Sequence, residues 1–431
     1  MKYFSTRDKS TAFSFSEAVL SGLAPDGGLF LPECIPSFKD SLAELEKLSL
    51  HNRIARIISP FTEDEIPFDV LHSMMEDVFN FPITTKTFDE NYSVLELFHG
   101  PTLAFKDFGA RFLARMLSRF ARKQSKKCVI LVATSGDTGS AVANAFYNIP
   151  GIEVIILYPS GKVSLNQEKQ LTTFDKNIIA FEVDGVFDDC QRLVKAAFLD
   201  KSLTEKYFLT SANSINIARL LPQSIYYVEA YLSLYKKYKS IGFTVPSGNL
   251  GNLSAGLLAR GFLGLETRFT AALNSNNMFE DFLSSGSAVT RPSVETLSNA
   301  MDVGNPSNLE RITALFPKLE DLKKIITSYH FSDIETAESV KEFYSSYQYI
   351  IDPHTAVGYL GAKAARSENP GIHQVILSTA HPSKFPDVIE KSLAIIPETP
   401  ERLAKVLNKE KKSTLVGKDF DSFKEALLNN I

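Results

Sequence analysis

The sequence predicts an α/β fold, with parallel or mixed sheets and helices on both sheet faces, and three observations predict it. From Lys126 onward, short apolar runs alternate with amphipathic stretches. The stretches between successive runs are long enough for the helix that a parallel crossover requires. Several runs end directly in small polar loops containing glycine, which is where open parallel sheets bind ligands.

Taken in order, residues 1–92 stand apart as a cap-like segment. They are rich in Pro and Phe, carry turn signals at Asp26-Gly-Gly28 and Pro32, and show no clean alternation. A helix begins at or just before Lys106: Phe108, Phe112, Met116 and Phe120 share one face, while Arg111, Arg115 and Arg119 take another that is solvated or ion-paired. Cys128–Ala133 is wholly apolar and reads as a buried strand, with a helix over 139–148. A strand over 153–158 precedes a helix from about Ser164, and the strand Ile178–Val183 precedes a helix over 188–198. Residues 207–210 lead to a long helix through Tyr238, then a strand over 243–245 and a helix from Asn252. A strand over 374–378 and a helix over 383–392 follow. From Glu401 the chain is charged and reads as a peripheral helix, with Lys409-Glu-Lys-Lys412 on a solvated face.

Composition narrows the function classes. With 431 residues, 44% hydrophobic and 22% charged, the chain is an ordinary globular protein long enough for two or three domains. A formal net charge of -4 argues against a nucleic-acid partner and against a polybasic membrane surface. Cys34, Cys128 and Cys190 follow no metal-ligand spacing, so no metal is expected, and so sparse a set suits a reducing compartment. The N-terminus lacks the charged start and apolar core of a secretory signal. No apolar stretch approaches the roughly 20 residues that a membrane span needs. A cytoplasmic location is expected.

Four segments can carry chemistry. In Ala133-Thr-Ser-Gly-Asp-Thr-Gly-Ser140, hydroxyls and two glycines let the backbone approach an anion at a helix start, so Ser135, Thr138 and neighbouring amides can hold a carboxylate. Lacking a Walker lysine and the dinucleotide spacing, it is equally a capped turn. Pro246-Ser-Gly-Asn-Leu-Gly-Asn252 suits a phosphate at the positive end of a helix dipole, or is a turn with Asn252 as the cap. In Ser378-Thr-Ala-His-Pro382, His381 is either a general base or structural, and Thr379 can donate to a heterocycle nitrogen. In Phe98-His-Gly-Pro-Thr-Leu-Ala-Phe-Lys-Asp-Phe108, Lys106 lies between Phe105 and Phe108 at a helix start. Aromatic neighbours and the helix dipole both disfavour its ammonium form, as a Schiff-base lysine needs, although a lysine snorkelling past the rings would look the same. Asp352-Pro-His354 precedes a predicted helix and reads as a site loop or a capped turn.

Together and in this order, these segments resemble the threonine synthase family, pyridoxal-phosphate (PLP) enzymes of fold type II. The resemblance extends to Tyr158-Pro-Ser-Gly-Lys-Val-Ser164, Asn213-Ser-Ile-Asn-Ile-Ala-Arg219, Tyr3-Phe-Ser-Thr-Arg7 and Gly22-Leu-Ala-Pro-Asp-Gly-Gly28, and so spans nearly the whole chain. It implies an N-terminal extension (1–92) on the large domain, a small α/β domain (93–210) and a large α/β domain (211–431), with PLP between the two. It implies that Lys106 binds the PLP aldehyde covalently and is the catalytic group. Gly248, Asn249, Leu250, Gly251 and Asn252 would receive the PLP phosphate, and Thr379 the ring nitrogen. Thr134, Ser135, Asp137 and Thr138 would hold the substrate carboxylate, and Asn213, Ser214 and Arg219 the substrate phosphate.

The implied reaction converts O-phospho-L-homoserine and water to L-threonine and phosphate, by γ-elimination and addition of water at the β-carbon. A small-molecule substrate and a monomer or homodimer are expected. Ser247, Leu250 and Ile217 stand where the family pattern has Thr, Phe and Trp, and Asp137 stands where many fold-type relatives have Asn. Two other readings are a dehydratase or sulfhydrylase of the same fold type and a non-catalytic relative that binds a phosphorylated ligand. No dinucleotide fingerprint follows any strand, which argues against a Rossmann dehydrogenase.

Overall fold

The computed structural model describes residues 1–264 and 266–431. A short antiparallel pair, β1 (Tyr3–Ser5) and β2 (Phe30–Pro32), opens the chain. It is followed by helices that the first segment's irregular composition did not suggest: Phe15–Ser21, Leu50–Thr62 and Phe68–Val78. Leu50–Thr62 buries Ile54, Ile57, Ile58 and Phe61, one apolar stripe at helical spacing. Tyr3 is buried and its hydroxyl donates to the Phe61 carbonyl at 2.8 Å. The Arg53–Glu229 pair, 2.7 Å and largely buried, ties this layer to the rest.

Two larger sheets carry the remainder. In the first, β3 (Thr84–Thr87) pairs antiparallel with β4 (Tyr92–Glu96), and β4 joins the parallel strands β9 (Ile241–Pro246), β10 (Arg268–Leu273), β11 (Ile326–His330) and β12 (His373–Ser378) in the order β11-β10-β9-β12-β4-β3. The second is all parallel: β5 (Cys128–Ala133), β6 (Ile152–Pro159), β7 (Ile178–Val183), β8 (Phe208–Ser211) and β13 (Ser413–Val416), in the order β13-β7-β6-β5-β8. Both central strands β5 and β9 are buried along their whole length, the continuous apolar pattern that helix-covered parallel strands require. The sheets do not follow contiguous segments. Strands β3 and β4 precede the small sheet yet belong to the large one, and β13 returns from the C-terminus to pair with β7.

That return explains a correction. The charged run 409–412 is not simply solvated: Lys411 pairs with Glu168 at 2.7 Å and with Glu182 at 2.6 Å, and Lys412 pairs with Asp175 at 3.3 Å. These pairs seat β13 at the sheet edge. The terminal helix is likewise two helices, Glu401–Leu407 and Phe420–Asn430, on either side of that strand. Proline shortens two other predicted helices. Pro222, lacking an amide proton, separates Ile217–Leu220 from Gln223–Leu234, and Pro386 separates the turn Pro382–Lys384 from Pro386–Leu393.

Candidate active site

The carboxyl ends of β5, β9 and β12 face one cleft between the two sheets, and every residue the sequence singled out for cofactor or substrate lines it. Lys106 is the first residue of the helix Lys106–Phe120. The preceding turn is stitched to the end of β12: the Phe105 amide donates to the Thr379 carbonyl at 2.9 Å and the His381 amide to the Leu103 carbonyl at 3.0 Å. Leu103 takes φ of 61° in that turn, a left-handed conformation that a branched side chain adopts only under constraint. Its effect is to set Lys106 beside Thr379. Burial lowers the Lys106 pKa to about 8; Asp137 opposes the shift, while Lys384 and Arg219 add to it. Its Nζ lies 5.7 Å from the centre of the Phe105 ring. Phe108, expected on the other side of the amine, packs instead in the core against Phe79, Phe81 and Tyr226.

After β9 the chain turns through Ser247-Gly248-Asn249 into the helix Gly251–Leu263. Asn252 is not the cap; the residue at that position is Leu250, with φ of 59°. This aims the first amides of the helix into the cleft, a ready anion seat. The Asn252 side chain is oriented by two tyrosines: Tyr226 and Tyr227 donate to its Oδ1 at 2.6 and 2.7 Å, leaving its buried Nδ2 without a partner. Asn249 donates to Ser214 Oγ at 2.7 Å and accepts from the Ser307 amide at 2.6 Å, so its side chain braces the loop. Gly248 must be glycine: a Cβ there would meet Met301 Cα at 2.7 Å. We expect Gly248→Ala to cost about 1–3 kcal/mol in denaturant unfolding and to weaken phosphate-ligand binding together with stability.

Arg219 closes the adjoining wall. It is 2% exposed, its Nη1 donates to the Ala212 carbonyl, and its Nε is buried without a partner. Among the described residues it has no carboxylate in ion-pair range, and burial lowers its pKa to about 10. A buried guanidinium without a counter-ion is poised for an anion. Asn213 and Ser214 line the same wall. A second buried arginine, Arg311, holds this turn in place by donating to the Ser214 carbonyl at 3.0 Å, to Asn308 Oδ1 at 2.6 Å and to the Ile215 carbonyl. No local pattern in the sequence marked it.

In the loop after β5, Thr134 serves the loop itself, accepting from the Gly136 amide at 3.0 Å and the Gly139 amide at 2.8 Å. Ser135 and Thr138 are partly exposed along the cleft wall. The helix begins at Asp137, two residues before the sequence placed it. Asp137 pairs with Lys384 at 2.7 Å, a buried contact between remote segments that no local pattern marks.

Two histidines are structural. His381 shares a hydrogen with Ser383 through Nδ1, meets Phe98 edge-on and does not line the cleft; burial pushes its pKa down to about 4. His354 lines the cleft, with Nδ1 bonded to Asp352 at 2.8 Å and Nε2 accepting from the Ala300 amide at 3.2 Å. Both ring nitrogens are engaged, so His354 anchors the turn at Ala300–Met301 against Gly248. His354→Leu leaves that amide unpaired and removes one hydrogen bond from the buried Asp352. It should cost about 1–3 kcal/mol, read from the denaturant midpoint at unchanged slope.

Comparison with known proteins follows the same outline. Residues 2–79 match the family described as threonine synthase N terminus, residues 85–379 the pyridoxal-phosphate dependent enzymes, and residues 355–427 the family described as threonine synthase, C-terminal. The chain is 42% identical over 435 residues to the threonine synthase of Escherichia coli (strain K12), covering 100% of each. It is 44% identical over 412 residues to that of Haemophilus influenzae, covering 94% of each. Among solved structures, threonine synthase from Escherichia coli superposes with a TM-score of 0.93 at 41% identity, covering 100% of both chains. The PLP-bound threonine synthase from Brucella melitensis gives 0.91 at 34% identity, covering 100% of this chain and 99% of the other.

Proposed function

The chain belongs to the threonine synthase family of PLP-dependent enzymes, and on that premise we propose that it converts O-phospho-L-homoserine and water to L-threonine and phosphate in the cleft around Lys106. One observation carries the choice of substrate. The cleft has two contiguous anion seats, the Gly251 helix start with the unpartnered Asn252 amide and the uncompensated Arg219 with Asn213 and Ser214. The first suits the cofactor's phosphate and the second the substrate's. A serine or threonine dehydratase has no phosphate to place in the second.

The residues present fit the cofactor: Lys106 for its aldehyde, the loop Gly248–Asn252 for its phosphate, and the Thr379 hydroxyl for its ring nitrogen. Bound there, PLP supplies the electron sink that makes protons on the substrate's α- and β-carbons acidic. The Lys106 amine, with its pKa brought near neutrality, takes the α-proton and, on a flexible arm, reaches the β-proton and the γ-carbon. Ser135, Thr138 and the amides of their loop hold the substrate carboxylate. Arg219, Asn213 and Ser214 hold the phosphate as it leaves the γ-carbon, where the growing charge strengthens the guanidinium bond. Water then adds at the β-carbon, within reach of the same amine.

The test is phosphate release from O-phospho-L-homoserine by protein of measured PLP content, with L-serine and L-threonine as rival substrates. Threonine formed in step with phosphate supports the reading; ammonia release from serine or threonine at a higher kcat/KM defeats it. No described helix is long and apolar enough to cross a membrane. A cytoplasmic reaction by a monomer or homodimer completes the proposal, and light scattering of the holoenzyme reads the assembly.

A further inference from the structure

One charge sits oddly in the cleft. Asp137 lies in a loop proposed to hold a substrate carboxylate, where a second carboxylate repels. Lys384, from the turn that follows β12, offsets it. Its side chain is 0% exposed; its Nζ lies 2.7 Å from Asp137 Oδ1 and donates to the Thr102 carbonyl at 3.0 Å. Gln167 Nε2 donates to the same Oδ1 at 2.9 Å. Thr102 in turn binds the carboxylate of Asp107, next to Lys106, through its amide at 2.9 Å and its hydroxyl at 2.7 Å. A single buried ammonium thus joins the loop after β5, the turn after β12 and the segment leading into Lys106. A buried lysine carries a heavy desolvation cost unless its partners are fixed, and these two are.

We propose that Lys384 is a positioning residue for Lys106: it fixes the Asp137 carboxylate in the cleft that Lys106 lines, and so governs when that amine is free to act. The proposal rests on Lys106 as the covalent attachment point. Charges reach that amine from each packed element. Asp137 favours its ammonium form, whereas burial, Lys384 and Arg219 oppose it. For Asp137, burial alone would raise its pKa, but Lys384 and then Lys106 hold it below the usual carboxylate range. Asp107, held by Thr102 with its own pKa raised by burial, completes the set.

The experiment uses the full-length protein, stripped of PLP and given PLP again over a pH series, and reads how fast the yellow absorbance of the attached cofactor grows. Lys384→Met leaves Lys106 as the remaining cation beside Asp137, so the midpoint pH should rise by about one unit. Asp137→Asn leaves Lys384 unopposed next to Lys106, so the midpoint should fall by a similar amount. Lys384→Arg keeps the charge and the wild-type midpoint. A pair that served only folding would lower melting temperature without moving these midpoints in opposite directions. Should Lys384→Met fail to fold, the Asp137→Asn shift decides the matter: an unchanged midpoint there overturns the proposal. A yellow band that persists in Lys106→Ala overturns the attachment point instead.

Discussion

Lys106→Ala is expected to lose the covalent link to PLP and to fall in turnover by more than about 10⁴-fold, because one side chain supplies both the attachment and the proton transfers. The size follows from the surroundings of the amine. Burial brings its pKa to about 8, so near neutral pH a usable fraction is free base. Asp107, the neighbouring titratable group, is turned away onto Thr102, and Lys384 is engaged with Asp137 and the Thr102 carbonyl, so neither is free to take over. The variant should still fold, since Lys106 is at the first turn of its helix and the core contacts come from Phe108, Phe112 and Met116. Steady-state turnover and the visible absorbance of the purified variant measure the two losses together. Activity within tenfold of wild type would remove Lys106 from the chemistry.

Arg219→Ala should lower kcat/KM for O-phospho-L-homoserine by about 10²–10³-fold while the PLP absorbance stays intact. The guanidinium has no carboxylate partner among the described residues and its Nε is unpaired, which is the opening the proposed phosphate would fill. Arg219→Lys should recover little, because an ammonium cannot offer two parallel donors to a phosphate. Both seats receive anions, and the pattern of losses separates them. A change at Arg219 should spare cofactor retention, and one at Gly248 should weaken it. Equal loss of PLP and substrate binding in Arg219→Ala would mean that the two seats are one.

Strand Cys128–Ala133 was legible because it is buried on both faces and reads as an unbroken apolar run, whereas the interior strands Tyr92–Glu96 and Arg268–Leu273, whose runs include Ser93 and Thr270, were not. Three of the edge strands were not: Thr84–Thr87, Ile326–His330 and Ser413–Val416 are half solvated and carry polar side chains, and the last owes its place to a neighbour far along the chain. Candidate site loops were visible for a local reason, since each is a cluster of glycine and hydroxyl residues directly after an apolar run. Lys384 and Arg311 had no such signature. What marks them is burial against Asp137 and against the Ser214 turn, which are contacts between remote segments. Asp352-Pro-His354 was noticed yet undecided, because only the fold shows that Nε2 of the histidine accepts from the Ala300 amide. The broken helix at Pro222 was legible in principle, as proline cannot donate within a helix.

The most direct measurement is a peptide map of the holoenzyme after borohydride reduction. The pyridoxyl group should be found on the peptide containing Lys106, in near one-to-one yield with the chain. Its recovery on Lys384, buried against Asp137, or on no lysine at all, would contradict the account of this site.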